Sequence, residues 1–283
     1  MNTNLGFGDR LAQAMKSSGQ LCVGIDPHPG LLQQWGLEDT PAALATFSEK
    51  ILDAARGRVA AVKPQVALFE RHGSEGFKVL EEVLAEARQL NILMIADAKR
   101  GDIGSTMSAY ADTWLGERSP LSTDSVTLSP YLGFESLRPA LDLAQQHDKG
   151  TFVLALTSNP EGKTIQHVGQ TNSVAKQIIE AATEENSRQG FETMGSCGLV
   201  VGATVGEALR ELEIDLSQFN GPILAPGYGA QGASAASLFA TFHGSESQIL
   251  VNSSRGILRH GPCVEALIDS IELANSDLLK SNS

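Results

Sequence analysis

Residues 92 to 102 run Ile-Leu-Met-Ile-Ala-Asp-Ala-Lys-Arg-Gly-Asp, an apolar stretch followed at once by two acids and two bases. Its first five residues have the composition of a buried strand, and residues two apart along a strand point to the same face. Asp97 and Lys99 should therefore project together where the strand leaves the core. Gly101 permits a turn, after which Asp102 can cap a helix. Taken alone, the segment fits a surface ion pair with a helix cap as well as a functional site.

Short apolar runs of this kind recur and alternate with stretches that have helical spacing, such as residues 76 to 90. This alternation indicates parallel strands with helices outside. Eight such units in roughly 250 residues predict an α/β fold, a closed (β/α)8 TIM barrel. The eight candidate strands are Leu21 to Ile25, Val59 to Val62, Ile92 to Ala96, Ser125 to Leu128, Phe152 to Leu156, Gly198 to Val201, Pro222 to Ala225 and Ile249 to Val251.

The alternative architecture is an open, Rossmann-like sheet. Its Gly-x-Gly-x-x-Gly fingerprint does not follow the first strand, where Gly24 is followed by Ile-Asp-Pro-His-Pro, so the barrel is favoured. No linker or strong repeat divides the chain. We therefore expect one catalytic barrel domain over residues 1 to 275 and a flexible C-terminal tail over residues 276 to 283.

The composition limits the classes of partner. A formal net charge of -12 over 283 residues disfavours nonspecific binding to nucleic acid or to an anionic membrane. Residues 1 to 20 lack the apolar core of a secretory signal, and no run approaches the roughly 18 apolar residues of a membrane span, so a cytoplasmic location is predicted. Cys22, Cys197 and Cys263 have no metal-like spacing, which predicts buried free thiols rather than disulfides or a zinc site.

Polar residues follow most of the candidate strands, and the carboxyl ends of the strands form the active-site face of a TIM barrel. One such residue is best explained as a cap or an ion pair, but several converging from independent strands favour a site. These residues are Asp26, Lys63, Asp97, Lys99, Thr157 to Asn159 and Asn252 to Arg255.

Two glycine-containing loops follow the last two strands, Pro226-Gly-Tyr-Gly-Ala-Gln-Gly232 and Ser253-Ser-Arg-Gly256. These are the loops that recurrently bind phosphate in such barrels, and the Arg255 guanidinium can bind two phosphoryl oxygens at once. Gln231 could add a neutral donor. The alternative is that the glycines only form tight turns and Arg255 extends along the surface.

These motifs, in this order, resemble the orotidine 5'-phosphate decarboxylase family, in particular its longer bacterial type 2 subgroup. The resemblance implies a (β/α)8 homodimer with shared active sites. It also implies conversion of orotidine 5'-monophosphate to uridine 5'-monophosphate and CO2, in de novo pyrimidine biosynthesis, without metal or organic cofactor. The matching segments are Phe7-Gly-Asp-Arg-Leu11, Gly24-Ile-Asp-Pro27, Val62-Lys-Pro-Gln65, Asp97-Ala-Lys-Arg-Gly-Asp-Ile103, Leu156-Thr-Ser-Asn-Pro160, Pro226-Gly-Tyr-Gly-Ala-Gln-Gly232 and Ser254-Arg-Gly256.

The resemblance also implies roles at the reacting centre. Lys63, Asp97, Lys99 and Asp102 would form an alternating charged array in which Lys99 donates a proton to the substrate. Asp102 and Thr106 would reach into the neighbouring subunit's site.

The remaining roles that the resemblance implies concern substrate binding. Asp26, together with the array lysine of the second strand, would bind ribose hydroxyls, and Ser158 would contact the pyrimidine. Gln231 and Arg255, with Gly256 beside it, would hold the phosphate. Tyr228 departs from the family pattern, in which a smaller aliphatic residue is expected.

Two alternatives share parts of this pattern. Magnesium-dependent sugar-phosphate decarboxylases and aldolases have a similar barrel and Asp-x-Lys-x-x-Asp segment, but typically place a carboxylate where this chain has Lys63. A lysine repels a metal ion, so metal-free chemistry is favoured. The second alternative is a noncatalytic sensor of phosphorylated ligands, which the phosphate loops alone would fit. The complete charged array argues against it.

Overall fold

The computed structural model describes residues 5 to 229 and 233 to 282, and in this part of the chain strands and helices alternate. Every predicted strand is present, with bounds within a few residues of those expected. The strands are β1 Leu21–Ile25, β2 Ala61–Pro64, β3 Ile95–Arg100, β4 Ser125–Leu128, β5 Gly150–Leu156, β6 Cys197–Val201, β7 Ile223–Pro226 and β8 Ile249–Ser253.

The helices occupy the stretches between strands, and the helix expected over residues 76 to 90 begins three residues earlier, at Gly73. Several are single turns. The α-helices are α1 Phe7–Ser18, α2 Pro29–Gln34, α3 Pro41–Ala55, α4 Ala67–Glu70, α5 Gly73–Gln89, α6 Gly104–Leu115, α7 Arg138–Gln146, α8 Lys163–Gln166, α9 Val174–Ser187, α10 Gly206–Glu211, α11 Ala235–Thr241, α12 Arg255–Leu258 and α13 Val264–Ser281.

The strands form one parallel sheet in the order β2-β1-β8-β7-β6-β5-β4-β3. Its two edges, β2 and β3, meet through isolated bridges from Val62 to Met94 and from Gln65 to Asp97. The Val62 amide also donates a 2.9 Å hydrogen bond to the Leu93 carbonyl. These contacts bring the sheet into a nearly closed barrel, which confirms the predicted (β/α)8 fold.

Alternation along the strands determines which side chains fill the barrel. Ala61 and Ile95 belong to an interior cluster, which also includes Cys22, Phe152, Val200, Leu224 and Leu250. Because every second residue points inward, the next interior positions toward the carboxyl ends are Lys63 on β2 and Asp97 on β3. The apolar interior therefore ends in a charged layer at the mouth of the barrel.

Helix α1 carries the first segment of the family resemblance and packs against this interior cluster. Phe7 is fully buried and meets Phe152 edge to face, with ring centroids 6.0 Å apart. The Asp9 carboxylate accepts hydrogen bonds from the main-chain amides of Glu192, Thr193 and Met194, which precede β6. The Phe7 to Leu11 segment is therefore structural, since it lies against the amino ends of the strands, opposite the predicted site.

The structure corrects three expectations. Helix α13 continues to Ser281 with Leu278 buried, so residues 276 to 281 are packed helix rather than a flexible tail. Asp102 does not cap α6, because the helix begins at Gly104 with Ile103 at its N-cap. Cys263 is exposed, whereas the other two cysteines are buried free thiols as expected. None of the helices in the described ranges is long and apolar enough to cross a membrane.

Candidate active site

The Asp97 carboxylate lies between two ammonium groups at the top of the barrel interior. Its Oδ2 accepts a hydrogen bond from Lys63 Nζ at 2.9 Å, and its Oδ1 accepts one from Lys99 Nζ at 2.5 Å. The side chains of Lys63 and Asp97 are only 5% and 10% exposed, whereas that of Lys99 is 45% exposed. Lys63 therefore anchors the carboxylate from below, and Lys99 is the charge that a ligand can reach.

The two ammonium groups control the protonation of the buried carboxylate. Burial alone would raise the pKa of Asp97, but the charges of Lys63 and Lys99 outweigh burial and lower this pKa to about 2. Burial would likewise lower the pKa of Lys63, yet Asp97 and then Asp26 raise it above its ordinary value. Asp97 and Lys63 are consequently both charged at neutral pH.

The backbone at Lys99 departs from a regular strand. Its φ of 49° lies in the left-handed region, and the β3–β4 register shifts between Ala96 and Arg100. Such conformations cost on the order of 1–3 kcal/mol and persist only where surrounding contacts enforce them. Lys99 and Asp97 do face the same side, as predicted, but the strand that carries them is locally bulged.

Thr127 on β4 supplies the contacts that enforce this conformation. Its hydroxyl accepts a 2.9 Å hydrogen bond from the Lys99 amide and donates a 3.0 Å hydrogen bond to Asp97 Oδ1. Thr127 was not among the predicted site residues. Its signal was available, because it follows Ser125 at strand spacing, so that β4 presents two hydroxyl side chains on the same face.

A cavity of about 350 Å³ opens above the charged array. Its walls differ in chemistry, since Leu154, Val200 and Leu224 form an apolar side, while residues 226 to 228 lie at the end of β7. The structure brings five predicted site residues to this cavity, namely Asp26, Lys63, Asp97, Lys99 and Arg255.

Four predicted residues do not line this cavity. Asp102 is half-buried and Thr106 is exposed, both beyond the end of β3. Ser158 is exposed, and its neighbour Thr157 lines the cavity instead. Gly256 lines an adjoining cavity that shares Arg255. The fifth, Gln231, lies outside the described residues.

The cavity wall contains further polar groups. Asn252 and Ser254, at the end of β8, line it as expected of polar residues that follow a strand, and Gln65 and His28, which were not predicted, line it as well. Asn252 Oδ1 and Ser254 Oγ are buried without a hydrogen-bond partner in the described part of the chain, and the same holds for Asp26 Oδ1. Buried polar atoms are nearly always satisfied, so this wall is suited to a polar ligand or to ordered water.

The side chains offer little to a metal ion. Within the described ranges, no group of three or more His, Cys, Asp and Glu side chains is placed to hold one. Both oxygens of Asp97, the central carboxylate, already accept hydrogen bonds from lysine ammonium groups.

Fold and site together define a (β/α)8-barrel protein with a Lys–Asp–Lys array, buried at Lys63 and Asp97, below a half-polar cavity. The family model described as "Orotidine 5'-phosphate decarboxylase / HUMPS family" matches residues 19–268. An orotidine 5'-phosphate decarboxylase of Streptomyces coelicolor is 51% identical over 263 residues, which cover 92% of each chain. That of Corynebacterium glutamicum is 45% identical and covers 96% of this chain and 97% of its own.

Solved structures agree with these relatives. The crystal structure of a Streptomyces avermitilis protein, described under the same enzyme name, has a TM-score of 0.92 and 49% identity over 98% of this chain and 96% of its own. The Leishmania donovani orotidine monophosphate decarboxylase has a TM-score of 0.76 and 31% identity over 97% of this chain and its whole own length. The chain belongs to the orotidine 5'-phosphate decarboxylase / HUMPS family.

The lowered pKa of Asp97 predicts a specific acid sensitivity. A carboxyl group whose pKa is about 2 when folded and 3.8 when unfolded stabilises the fold above pH 4 and loses that contribution as the pH falls toward 2. The wild type should therefore be stabilised relative to Asp97→Asn by about 2 kcal/mol more at pH 6 than at pH 2, measured as the free energy of unfolding. About half of this extra stabilisation should be lost by pH 3. Urea denaturation from pH 6 to pH 3 measures it.

The matched control is Asp269→Asn, at an exposed carboxylate on α13. Its difference from the wild type should stay constant over the same pH range. A constant difference for Asp97→Asn as well would show that the two lysines do not stabilise the ionised Asp97.

Proposed function

We propose that this chain is a carboxy-lyase that converts orotidine 5'-monophosphate to uridine 5'-monophosphate and CO2 in de novo pyrimidine biosynthesis. The observation that carries the proposal is the Asp97 carboxylate held between Lys63 and Lys99 at the floor of the cavity. A Streptomyces coelicolor relative that bears the decarboxylase name is 51% identical over 92% of this chain. The family description also includes the HUMPS branch, so the charged array matters for the choice.

The reaction needs a group that stabilises negative charge at C6 of the pyrimidine. When the bond from C6 to the carboxylate breaks, its electron pair stays on C6 and CO2 leaves. The Lys99 ammonium lies beside this carbon, stabilises the developing charge and then transfers a proton to C6. The resulting amine regains a proton from water. A preorganised charge of this kind is usually the largest single contribution to catalysis.

Repulsion between Asp97 and the substrate carboxylate makes a smaller contribution. Two charges about 4 Å apart at an effective dielectric near 20 interact by about 4 kcal/mol. Large enzymatic accelerations need up to roughly 23 kcal/mol, so repulsion alone is too small. The main role of Asp97 is to aim the Lys99 ammonium group through their hydrogen bond, and Lys63 keeps Asp97 ionised.

The cavity has chemically distinct regions for the parts of the nucleotide. Asp26 and Lys63 bind the ribose hydroxyls, and Arg255 holds the phosphate at the end of β8. The apolar side formed by Leu154, Val200 and Leu224 fits the face of a pyrimidine ring. Ser158 turns toward the pyrimidine from the loop after β5, and Gly256 lets the backbone after Arg255 approach the phosphate. Gln231 adds a donor to the same phosphate.

We further propose that two copies of the chain complete each other's sites through Asp102 and Thr106. Both residues stand outside the cavity of their own chain, next to an exposed apolar patch. The patch consists of Ile103, Tyr131 and Leu132, which are 61%, 75% and 54% exposed. The loops after β3 and β4 that carry it are joined, since the Ser129 amide donates to the Arg100 carbonyl at 2.8 Å. Exposed apolar patches beside functional groups are typical of protein interfaces.

The first test is release of CO2 from orotidine 5'-monophosphate by the purified protein, with and without a strong metal chelator. We expect full activity in chelator, and a loss of at least about 10²- to 10⁴-fold in Lys99→Ala, because the charge and the proton donor are both removed. Lys16→Ala, on α1, is the matched control. Activity abolished by chelator and restored by magnesium would support the metal-dependent alternative, and binding without turnover would support a sensor.

The role of Arg255 predicts a dependence on the substrate phosphate. Arg255→Ala should lower kcat/KM for orotidine 5'-monophosphate by roughly 10- to 100-fold, because charge-assisted hydrogen bonds to phosphate are lost. Decarboxylation of orotidine, which lacks the phosphate, should change little. Equal losses on both substrates would contradict a phosphate contact.

The shared site predicts complementation between two inactive variants. Lys99→Ala and Asp102→Ala are each expected to lose activity as separate preparations. When they are mixed and subunits exchange, each mixed dimer has one site with both native residues, so the mixture should recover about a quarter of wild-type activity. No recovery, in a mixture shown by mass spectrometry to contain mixed dimers, would place Asp102 in its own subunit's site or in none.

A further inference from the structure

The backbone of the four residues 226 to 229, at the end of β7, has little intrinsic constraint beside the cavity. Residues 226 to 229, which we call the β7 segment, contain Gly227 and Gly229 with φ angles of 117° and 73°. Glycine populates such conformations without steric cost, so neither position by itself favours one arrangement. The Gly229 amide donates a 2.9 Å hydrogen bond to the Ala233 carbonyl, which ties the far end of the segment to a residue two positions before α11.

The side chain of Tyr228, between the two glycines, restricts the conformation of the β7 segment. Tyr228 is half-buried and packs against the main apolar core, and its hydroxyl donates a 2.6 Å hydrogen bond to Asp277 Oδ2. Burial raises the pKa of Tyr228, and the bond to Asp277 raises it further, so the hydroxyl remains a donor at neutral pH. A hydrogen bond to a carboxylate is shorter and stronger than one between neutral groups.

Asp277 lies on a turn of α13 that is packed against the rest of the protein. It lies near the end of α13, in the part of the chain that the sequence suggested was a tail. Its neighbours Ala274 and Leu278 are 9% and 2% exposed, so this turn of the helix is packed onto the barrel. Asp277 is therefore carried by a packed turn of α13, and its hydrogen bond with Tyr228 links this turn to the cavity wall.

We propose that the Tyr228–Asp277 hydrogen bond is a positioning contact through which the C-terminal helix sets the arrangement of the β7 segment for the substrate phosphate. The inference rests on the proposed function, because the β7 segment lies at the end of the cavity where Arg255 is assigned to the phosphate. It gives a role both to the tyrosine at a position where a smaller aliphatic residue was expected and to the last turns of α13. Tyr228 and Asp277 act through the backbone of the segment, and neither is assigned a contact with the reacting atoms.

The test compares substrates with and without a phosphate. Tyr228→Phe keeps the ring and removes only the hydroxyl, and Asp277→Ala removes the acceptor. Each should lower kcat/KM for orotidine 5'-monophosphate about three- to tenfold, and kcat/KM for orotidine should stay within twofold of the wild type. The double variant should be no worse than either single variant, because both changes break the same bond.

A conservative variant separates positioning from general damage to the helix. Asp277→Asn retains an oxygen that can accept from Tyr228, so it should keep at least half of the wild-type kcat/KM on orotidine 5'-monophosphate. Asp269→Ala, at an exposed position of the same helix, should have no effect on either substrate. Thermal melting of each variant confirms that the fold is retained before kinetics are compared.

Calorimetric binding of uridine 5'-monophosphate and of uridine provides a readout that does not depend on turnover. Tyr228→Phe should weaken the nucleotide about three- to tenfold and leave the nucleoside unchanged, which tests the inference even if the wild-type protein releases no CO2 and the proposed function fails. Equal loss on phosphorylated and unphosphorylated ligands would overturn the inference. So would additive losses in the double variant, or an Asp277→Asn variant as impaired as Asp277→Ala.

Discussion

The site depends on one buried carboxylate that neutralises two ammonium groups. Placing Lys63 and Asp97 inside a barrel costs desolvation energy, and the cost is offset only because the two charges meet at 2.9 Å and Asp97 also bonds Lys99 and Thr127. Removal of the central acid would leave two facing cations in the barrel mouth. The array is therefore stable only as a unit. Lys99 is its exposed end, and the contacts of Lys99 with Asp97 and Thr127 fix the position of its ammonium group.

The barrel topology explains why this unit forms at the seam between β2 and β3. These are the two edges of the sheet, and isolated bridges replace a regular ladder there, so the Lys63–Asp97 ion pair spans the place where the barrel closes. A regular β3 would continue the ladder to β4. The bulge and the positive φ at Lys99 interrupt it and re-aim the ammonium group into the cavity. The strain is thus located at the residue that must be held in one orientation.

Much of the architecture could be predicted from the sequence, because apolar runs and helical spacing are local signals. The strands and the partnership of Asp97 with Lys99 followed from spacing alone. What spacing could not show was set by nonlocal contacts. Thr127 joins the site through a neighbouring strand, and Leu278 turns an expected tail into packed helix by burying its side chain. The cap assigned to Asp102 failed because the chain is still extended at Ile103, and α6 begins only at Gly104.

The two ends of the cavity are held by different strands, and this has a consequence for the proposed reaction. The charged array is held by β2, β3 and β4, whereas the phosphate end is held by β7, β8 and, through Tyr228, by α13. β1 separates β2 from β8 in the sheet, and among the described residues no hydrogen bond or ion pair joins Arg255 to the Lys63–Asp97–Lys99 array. In the proposed reaction the ligand itself spans the two ends. Binding energy gained at the phosphate then contributes to catalysis only if both ends of the cavity are rigid. If one end were mobile, the bound nucleotide could shift, and phosphate binding would no longer hold C6 against the Lys99 ammonium group.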